Sequence, residues 1–367
     1  MYQVTKITSA LAALGLSAAL VMSPSFAATD HTKTDNIKDV SPVTNGVSQK
    51  FTGNSKAATS LNKYLPTIKY TTENLPVQAQ KVNSATWKQG MKRDRDTTTK
   101  LQALLNWNQN GVGSVDGYWG KNTIKAMQAF QKANGLTVTD NLNNETWQAL
   151  TKNEKLTTQP VLVSYQLTDA DVNVKTTQIP ASAEAKAKLD GMYYESVTEG
   201  LAEKFHMSEK YLKALNPNAK FSAGETITVY NPGNPNTKPV SRVVADKDKQ
   251  TLYAYDDSDN LVASYPTTVG STATPSPTGT HKVKVKIHEP NYTYTSDNGK
   301  KSIIPPGPNN PVGVVWIGLS KPSYGIHGSP DPERISRQAS AGCVRLTNWD
   351  ALSLLGVIKN DATVEFK

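Results

Sequence analysis

The sequence predicts a multidomain chain with a small three-helix domain, a small α+β module and a mainly β C-terminal domain. Three observations support this fold class, and a length of 367 residues is sufficient for two or three domains. In residues 97–151, apolar positions recur at the i, i+3, i+4 spacing of helices and are interrupted by glycine-rich turns. Residues 192–231 join a helical pattern to one alternating strand. Residues 240–367 contain short runs of β-branched and aromatic residues separated by turn residues.

The first residues indicate that the protein is exported. Lys6 is followed by an uncharged, mostly apolar run over residues 7–22, and small residues stand at Ser25 and Ala27. This order is typical of a signal peptide, so we expect residues 1–27 to be removed by cleavage after Ala27. The apolar run is short for a membrane span, although the single lysine leaves an uncleaved anchor as the alternative. We therefore expect a protein of the periplasm or cell envelope that has no stable membrane span after signal cleavage.

Polar composition characterises the next segment and the surface as a whole. Residues 28–96 are rich in Thr, Asn, Lys and Ser and have weak periodicity, which predicts a linker or a loosely folded segment. The formal net charge is +9, which favours anionic surroundings. Because no dense run of Lys and Arg is present, we expect a basic solvated surface and no nucleic-acid partner.

Cys343 is the only cysteine of the chain. An exported protein usually holds its cysteines in disulfide pairs, and a lone thiol in an oxidising compartment is at risk of oxidation. Alanine or valine could replace a purely structural cysteine at little cost, so the lone thiol favours a chemical role over a packing role. The five histidines show no spacing typical of metal ligands, and we expect neither a metal nor a cofactor.

Residues 97–151 carry three short strings of sequence in a fixed order. These are Leu101–Leu105, then Val115–Gly120 with its Asp-Gly-x-x-Gly turn, then Ala129–Leu136. A generic three-helix bundle accounts for the apolar spacing but not for that turn. Together the strings resemble the three-helix peptidoglycan-binding domain of many wall hydrolases. The resemblance implies that the glycan strands of peptidoglycan are a partner.

Residues 192–231 carry a second set of strings, Ser196–Leu201, Leu215–Pro217 and Gly224–Val229. They resemble a LysM module, a small unit that binds glycans containing N-acetylglucosamine. The start departs from the usual pattern, because Glu199–Leu201 stands where Gly-Asp-Thr-Leu is common. A degenerate module that serves as a spacer is therefore an open alternative to a working one.

The C-terminal region, residues 240–367, contains a motif in two parts. Tyr324–Gly328 reads Tyr-Gly-Ile-His-Gly, and Ser340–Leu346 reads Ser-Ala-Gly-Cys-Val-Arg-Leu. Thr278–Thr280 adds a Gly-Thr turn just after a proline. Together these residues resemble the L,D-transpeptidase (YkuD-type) catalytic domain. The motif departs at Ala341, where many members have His or Lys, and we expect this change to alter the substrate environment without abolishing turnover.

Residue chemistry supports a site at this motif independently of the resemblance. A free thiol at neutral pH is mostly protonated, so Cys343 needs a nearby base, and His327 at the end of a predicted strand can present a rigid imidazole. Gly342 allows the backbone to approach a substrate carbonyl closely. The amides of Gly342 and Cys343 are natural donors to an oxyanion. Arg345 supplies a fixed positive charge for a substrate carboxylate, or alternatively braces the loop through a salt bridge.

Ser340 and Tyr324 complete the candidate site, and each has a structural alternative. We group Ser340 with the catalytic residues, although it could orient the turn by hydrogen bonds without touching substrate. We assign Tyr324 to substrate binding, with packing as the alternative. Residues 289–313 are rich in Pro, Asn and Gly and form a loop of a length that is usually functional. We expect this loop to be a lid or a wall of the substrate groove.

The resemblance implies a specific reaction. Cys343 attacks the carbonyl after the third residue of a donor stem peptide and releases terminal D-alanine, His327 takes the thiol proton, and the carbonyl of Gly328 orients the imidazole. The thioester then passes to an acceptor amine and forms a 3→3 cross-link. The implied partners are peptidoglycan stem peptides, glycan strands and a wall-attached protein acceptor. Two alternatives stay open: hydrolysis at the same site, as in an L,D-carboxypeptidase, and a wall-binding protein whose catalytic domain is vestigial.

Overall fold

The structure, a computed structural model, describes residues 62–65, 68–270, 275–337 and 342–367. The predicted signal peptide, residues 1–27, lies outside the described residues. Within the described part of the chain, no helix is long and apolar enough to cross a bilayer. The helices there are α1 (Val77–Ser84), α2 (Arg95–Trp107), α3 (Lys121–Ala133), α4 (Asn144–Thr151), α5 (Glu154–Thr157), α6 (Asp169–Val172), α7 (Ala183–Lys186), α8 (Val197–Lys204), α9 (Glu209–Leu215) and α10 (Asn348–Val357). The strands are β1 (Leu162–Gln166), β2 (Thr226–Tyr230), β3 (Val240–Asp246), β4 (Thr251–Tyr255), β5 (Leu261–Pro266), β6 (Gly279–His288), β7 (Tyr292–Thr295), β8 (Lys301–Ile304), β9 (Val315–Leu319), β10 (Gly325–His327), β11 (Val344–Arg345) and β12 (Ile358–Phe366).

The C-terminal domain is built on an eight-stranded sheet with the order β11-β10-β9-β6-β12-β3-β4-β5. The pairs β10–β11 and β12–β3 are parallel, and the other neighbours are antiparallel. A bridge joins Thr268, just beyond β5, to Arg345 in β11, so the two ends of the sheet meet and the sheet curls. Helix α10 shares the core with the strands through buried residues such as Leu354, Ile317 and Val364. This architecture confirms the predicted mainly β C-terminal domain.

The prediction of a helical domain before it is also confirmed. Helices α2, α3 and α4 pack through Leu104, Met127 and Leu150, none of which is exposed. The turn between α2 and α3 is held by Gln102, whose side-chain oxygen accepts from the amide of Gly117 at 2.9 Å. Gly117 has a φ of +74°, a backbone conformation that favours glycine. The Asp-Gly-x-x-Gly turn is therefore organised by a side chain of the preceding helix.

The prediction of a linker for residues 28–96 is wrong around α1. Ala79 and Val82 of this helix are fully buried in the core that includes α2. The ring of Trp87 lies beside that of Trp147 in α4, with 6.3 Å between centroids. The segment packs against the other helices through a few apolar residues, which are separated in the sequence by polar ones. The average composition of the segment therefore concealed a folded helix.

The strand predicted near the end of residues 192–231 is β2, and it pairs in antiparallel fashion with β1, which lies well before those residues. The four-residue helices α6 and α7 and then α8 and α9 lie between the two strands, and we refer to β1, α8, α9 and β2 as the βααβ unit. One continuous core joins this βααβ unit to the three helices. For example, the hydroxyl of Tyr211 in α9 lies 2.9 Å from Oγ1 of Thr99 in α2. We refer to residues 68–230 as the accessory half.

The accessory half docks on the C-terminal domain through several contacts, which include a backbone bridge and a stacked pair of rings. The amide of Gly111 donates to the carbonyl of Ser264 at 2.8 Å, and the Ser264 amide donates to the carbonyl of Gln109 at 2.9 Å. This short bridge pairs backbone groups of the edge strand β5 that would otherwise be open. At the second contact, just after α8, the ring of His206 stacks on that of Trp349 in α10 with 5.2 Å between centroids. These contacts fix the halves relative to each other.

Titratable groups lie near the second contact, where Glu203 and His206 are half-buried and Asp350 is buried. Burial raises the pKa of Glu203 in α8 to about 8 and the pKa of Asp350 in α10 to about 7. Burial has the opposite effect on an imidazole and lowers the pKa of His206 to about 3. In each case the neutral form is favoured, because a low-dielectric environment opposes charge.

These pKa values make the stability of the fold dependent on pH. A carboxyl group with a raised pKa stabilises the folded state fully below its unfolded pKa, near 4.5 for Glu203, and loses that contribution as the pH rises through its folded pKa near 8. His206 has the opposite effect on stability, because folding lowers its pKa. It reduces the unfolding free energy only below pH 6.5, which is the pKa of the unfolded residue. We therefore expect the unfolding free energy in urea to fall as the pH rises from 6.5 to about 8, and Glu203→Gln to reduce the slope. Equal slopes for the two proteins would contradict the burial of this carboxyl group.

Candidate active site

Two short parallel strands bring the candidate residues together. Strands β10 and β11 pair Ile326 with Val344 and His327 with Arg345. Residues paired in a parallel ladder point to the same face, so His327 and Arg345 share one face, and Cys343 stands in the bend immediately before β11. His327 and Cys343 are each only 2% exposed. The sequence motif therefore becomes one buried cluster.

A backbone carbonyl sets the tautomer of His327. Its Nδ1 lies 2.6 Å from the oxygen of Gly328, and because a carbonyl only accepts, Nδ1 carries the proton of the neutral ring. Nε2 then has a lone pair with which it can act as a base. The ring of Trp316 stacks on the imidazole at 5.8 Å between centroids. Burial, and next the charge of Arg345, lower the pKa of His327 to about 3, so the ring is neutral at physiological pH.

The thiol is also neutral. Burial raises the pKa of Cys343 to about 11. Its Sγ lies 3.7 Å from the carbonyl oxygen of Ser323, which can accept from a protonated thiol. A neutral thiol and a neutral imidazole do not form an ion pair. The thiol proton therefore has to pass to a base during attack on a substrate, not before it.

Gly342 is required by its conformation and by its neighbours. Its φ is +102°, in the region that favours glycine. A Cβ at this position would lie 3.0 Å from the carbonyl oxygen of Pro275 and 3.0 Å from Cε1 of Tyr324. Tyr324, which the sequence assigned to substrate binding, thus packs against the turn that carries Cys343. Ser340 lies outside the described residues.

Arg345 borders a cavity of about 270 Å³ that is also lined by Ser329, Asp331 and Arg334. The backbone of Arg345 is fixed, since its amide donates to the carbonyl of Thr268 at 2.9 Å. Its Nε has no hydrogen-bond partner among the described residues. Arg334 is paired with Asp331 at 3.5 Å, so Arg345 is the guanidinium at this cavity that suits a carboxylate ligand. In the described ranges, no cluster of three or more His, Cys, Asp or Glu side chains could hold a metal ion.

Sequence reasoning missed Asn348, the first residue of α10. It is 2% exposed, and its Oδ1 accepts from the amides of Val314 at 3.2 Å and Ser329 at 3.1 Å. A Cβ on Gly328 would lie 2.3 Å from this oxygen. Asn348 therefore frames the turn that follows His327. A polar residue at the start of a mostly apolar helix, two residues after the Ser340–Leu346 motif, was the signal that could have identified it.

The predicted groove-wall loop, residues 289–313, contains a hairpin formed by β7 and β8. The alternating Tyr-Thr-Tyr-Thr sequence of β7 was a strand signal that the proline and glycine content obscured. Tyr292 is the first residue of the hairpin, and burial, and next the charge of Cys343, raise its pKa to about 12, so it lies within electrostatic range of the thiol. The hairpin thus begins near the candidate nucleophile.

Comparisons with known proteins identify two domains in the chain. A family model for the L,D-transpeptidase catalytic domain matches residues 240–365, and a model for a peptidoglycan-binding domain matches residues 94–150. The YkuD protein of Bacillus licheniformis, named as an L,D-transpeptidase, is 32% identical over 169 residues, which are 45% of this chain and 90% of that protein. The YkuD protein of Bacillus subtilis is 28% identical over 166 residues, which are 45% of this chain and 89% of that protein.

A solved L,D-transpeptidase from Xylanimonas cellulosilytica aligns over 74% of this chain and 92% of that one, at 17% identity and a TM-score of 0.32. The two matched domains define an enzyme that acts on peptidoglycan. The chain belongs to the YkuD family of L,D-transpeptidases.

The raised thiol pKa has a direct chemical consequence. Iodoacetamide reacts with thiolate, so we expect its rate of reaction with Cys343 to keep rising up to at least pH 9, in keeping with a pKa of about 11. A cysteine-containing peptide measured in parallel should level off earlier, near its free pKa of about 8.5. The labelled site is verified by the absence of reaction in Cys343→Ala. A plateau below pH 8 would show a preformed thiolate and contradict the neutral pair.

Proposed function

We propose that the chain is a cysteine-dependent L,D-transpeptidase that forms 3→3 cross-links through a thioester on Cys343. The observation that carries this proposal is the buried cluster on β10 and β11. In it, His327 has Nδ1 committed to the Gly328 carbonyl and shares a face with Arg345, and Cys343 stands immediately before β11. A base of fixed tautomer near a lone thiol is the arrangement that nucleophilic acyl transfer requires.

The first half-reaction forms the acyl-enzyme. Nε2 of His327 takes the proton of the thiol as Sγ of Cys343 attacks the carbonyl after the third residue of the donor stem. The amides of Gly342 and Cys343 donate to the resulting oxyanion. When the intermediate collapses, the peptide bond breaks and the imidazolium returns its proton to the departing amine of D-alanine. A substrate carboxylate is held by Arg345.

The second half-reaction transfers the acyl group. The amine of an acceptor stem attacks the thioester, His327 takes the proton released by that amine, and a new amide bond forms. The leaving thiolate recovers the proton and Cys343 returns to its resting state. Water in place of the amine would make the enzyme an L,D-carboxypeptidase, since the acyl-enzyme is the same in both reactions.

We further propose that the accessory half holds the enzyme on the cell wall. The match of residues 94–150 to a peptidoglycan-binding domain supports glycan strands as a partner. The βααβ arrangement of β1, α8, α9 and β2 supports the LysM-like interpretation. The predicted signal peptide at residues 1–27 supports export to the periplasm or cell envelope, and a wall-attached protein is a second proposed acceptor beside stem peptides.

The reaction is tested with purified disaccharide-tetrapeptide as both donor and acceptor. We expect a cross-linked dimer that contains a 3→3 bond, together with free D-alanine, and neither product from Cys343→Ala. Mass spectrometry of the products separates the alternatives. Tripeptide without dimer would replace transfer by hydrolysis, and an active Cys343→Ala variant would refute the mechanism.

Covalent inhibition tests the roles of individual residues. The resemblance points to carbapenems, whose strained amide should acylate the thiol, so intact-mass measurement should show one adduct per chain, mapped to Cys343. We expect His327→Ala to slow adduct formation by roughly 10²–10⁴-fold, because the base is lost. Arg345→Ala should instead weaken the initial complex by about 10-fold or more, through loss of one charge-assisted contact. An adduct on any other residue would refute the site.

A further inference from the structure

Glu203 connects the accessory half to the frame of the candidate site. It lies in α8, and both of its carboxylate oxygens accept from Nδ2 of Asn348, at 3.0 and 3.2 Å. The hydroxyl of Tyr194 donates to the same carboxylate at 3.2 Å. Nδ2 of Asn348 has one further acceptor, the carbonyl of Pro308 at 3.1 Å. The side chain of Asn348 is thus held from two directions.

These acceptors decide which way the amide of Asn348 points. With Nδ2 turned toward Glu203 and Pro308, Oδ1 faces the amides of Val314 and Ser329 and accepts from both. The reverse orientation would place Nδ2 against two N–H donors and the amide oxygen against the carbonyl oxygen of Pro308. Glu203 therefore holds Asn348 in the orientation that supports Ser329.

The amide of Asn348 touches the residue that orients the candidate base. Gly328 stands between His327 and Ser329, and a Cβ on it would lie 2.3 Å from Oδ1 of Asn348. The carbonyl of Gly328 accepts from Nδ1 of His327 at 2.6 Å. Any movement of Asn348 is therefore transmitted to the carbonyl that fixes the imidazole.

Helix α8 holds the neighbouring segment as well. Oε1 of Glu199 accepts from Nδ2 of Asn309 at 2.9 Å. The Asn309 amide donates to the carbonyl of Met192 at 2.9 Å, and the Met192 amide donates to the carbonyl of Pro306 at 2.9 Å. The chain between the β7–β8 hairpin and β9 is tied to the accessory half by these bonds. One helix of the accessory half thus supports both the turn after His327 and the segment that carries the hairpin.

We propose that Glu203 is a positioning residue for the reaction, which acts through Asn348 on the turn formed by His327, Gly328 and Ser329. This inference rests on the proposed function of the site. Glu203 does not touch the reacting atoms. The accessory half is then a part of the active-site structure, because its loss would leave Asn348 without the carboxylate that orients it.

The test compares Glu203→Ala with Glu203→Gln in the full chain, using acylation of Cys343 by a carbapenem. Alanine removes the acceptor for Asn348, so we expect the rate constant at saturating carbapenem to fall by roughly 10- to 100-fold, as a misplaced base predicts. The concentration for half-maximal rate should stay close to the wild-type value. Glutamine keeps one oxygen acceptor and should recover most of the rate.

His206→Ala is the matched control. It removes the ring that stacks on Trp349 from the same interface but leaves Asn348 and its partners in place. We expect it to lower the unfolding midpoint and to leave the acylation rate unchanged. The proposal is overturned if Glu203→Ala is acylated at the wild-type rate, or if Glu203→Gln and His206→Ala lose as much rate as Glu203→Ala.

A spectroscopic measurement tests the same proposal without turnover. The Nδ1 proton of His327, held by the Gly328 carbonyl, should give a downfield NMR resonance that is assigned by its loss in His327→Ala. We expect this resonance to shift or broaden in Glu203→Ala and to return in Glu203→Gln. An unchanged resonance in Glu203→Ala overturns the positioning role. A wild-type chain that is never acylated would refute the proposed function instead and leave this readout intact.

Discussion

The parallel pairing of β10 with β11 is the constraint on which the rest of the site depends. A slip of one residue would turn every side chain of a strand to the other face. Here such a slip would carry the fully buried Ile326 or Val344 out of the core, so the apolar packing opposes it. The amide of Leu346 also donates to the carbonyl of His327 at 2.8 Å. The register that pairs the strand of His327 with the strand that follows Cys343 is therefore enforced by burial and by backbone hydrogen bonds together.

Burial also sets the chemistry of the two groups. The low-dielectric surroundings raise the pKa of the Cys343 thiol and lower that of the His327 imidazole, so both are uncharged at rest. The thiolate is the form that oxidants attack, and a protonated, buried thiol resists them. The burial that sets the pKa of Cys343 therefore also protects this thiol from oxidation. The same environment makes the charge that develops during attack costly unless donors are already positioned for it.

The accessory half and the C-terminal domain are joined by direct contacts as well as by the chain that connects them. The short bridge at Ser264 covers an open strand edge, and the stacking of His206 on Trp349 covers the start of α10. Between these contacts lies a carboxyl group whose burial raises its pKa, which costs stability at high pH. Apolar residues at this position would avoid that cost in stability. A buried carboxyl group is more readily retained where its hydrogen bonds specify one arrangement of the two halves. The interface therefore joins the accessory half to the turn that follows His327.

The sequence alone determined the secondary structure of most elements and the motif of the candidate site, because these depend on residues that are close together in the chain. Strand alternation marked most of the sheet, helical spacing marked the three-helix domain, and one motif contained both His327 and Cys343. The Gly342 turn could be recognised because positive φ selects glycine at that position. These features can be predicted from the sequence because the interactions that cause them involve residues only a few positions apart.

Tertiary structure alone decided the features that depend on distant partners. The segment around α1 is folded because its few apolar side chains meet a core made by other helices, which its own composition does not reveal. Strand β1 pairs with β2 far along the chain, so the bounds of the βααβ unit were not visible locally. Glu203 and Asn348 are 145 residues apart, and neither carries a periodic or compositional signal for the other. A hydrogen bond between polar side chains is specified by the final packing of two domains, because only that packing excludes water and brings donor and acceptor together.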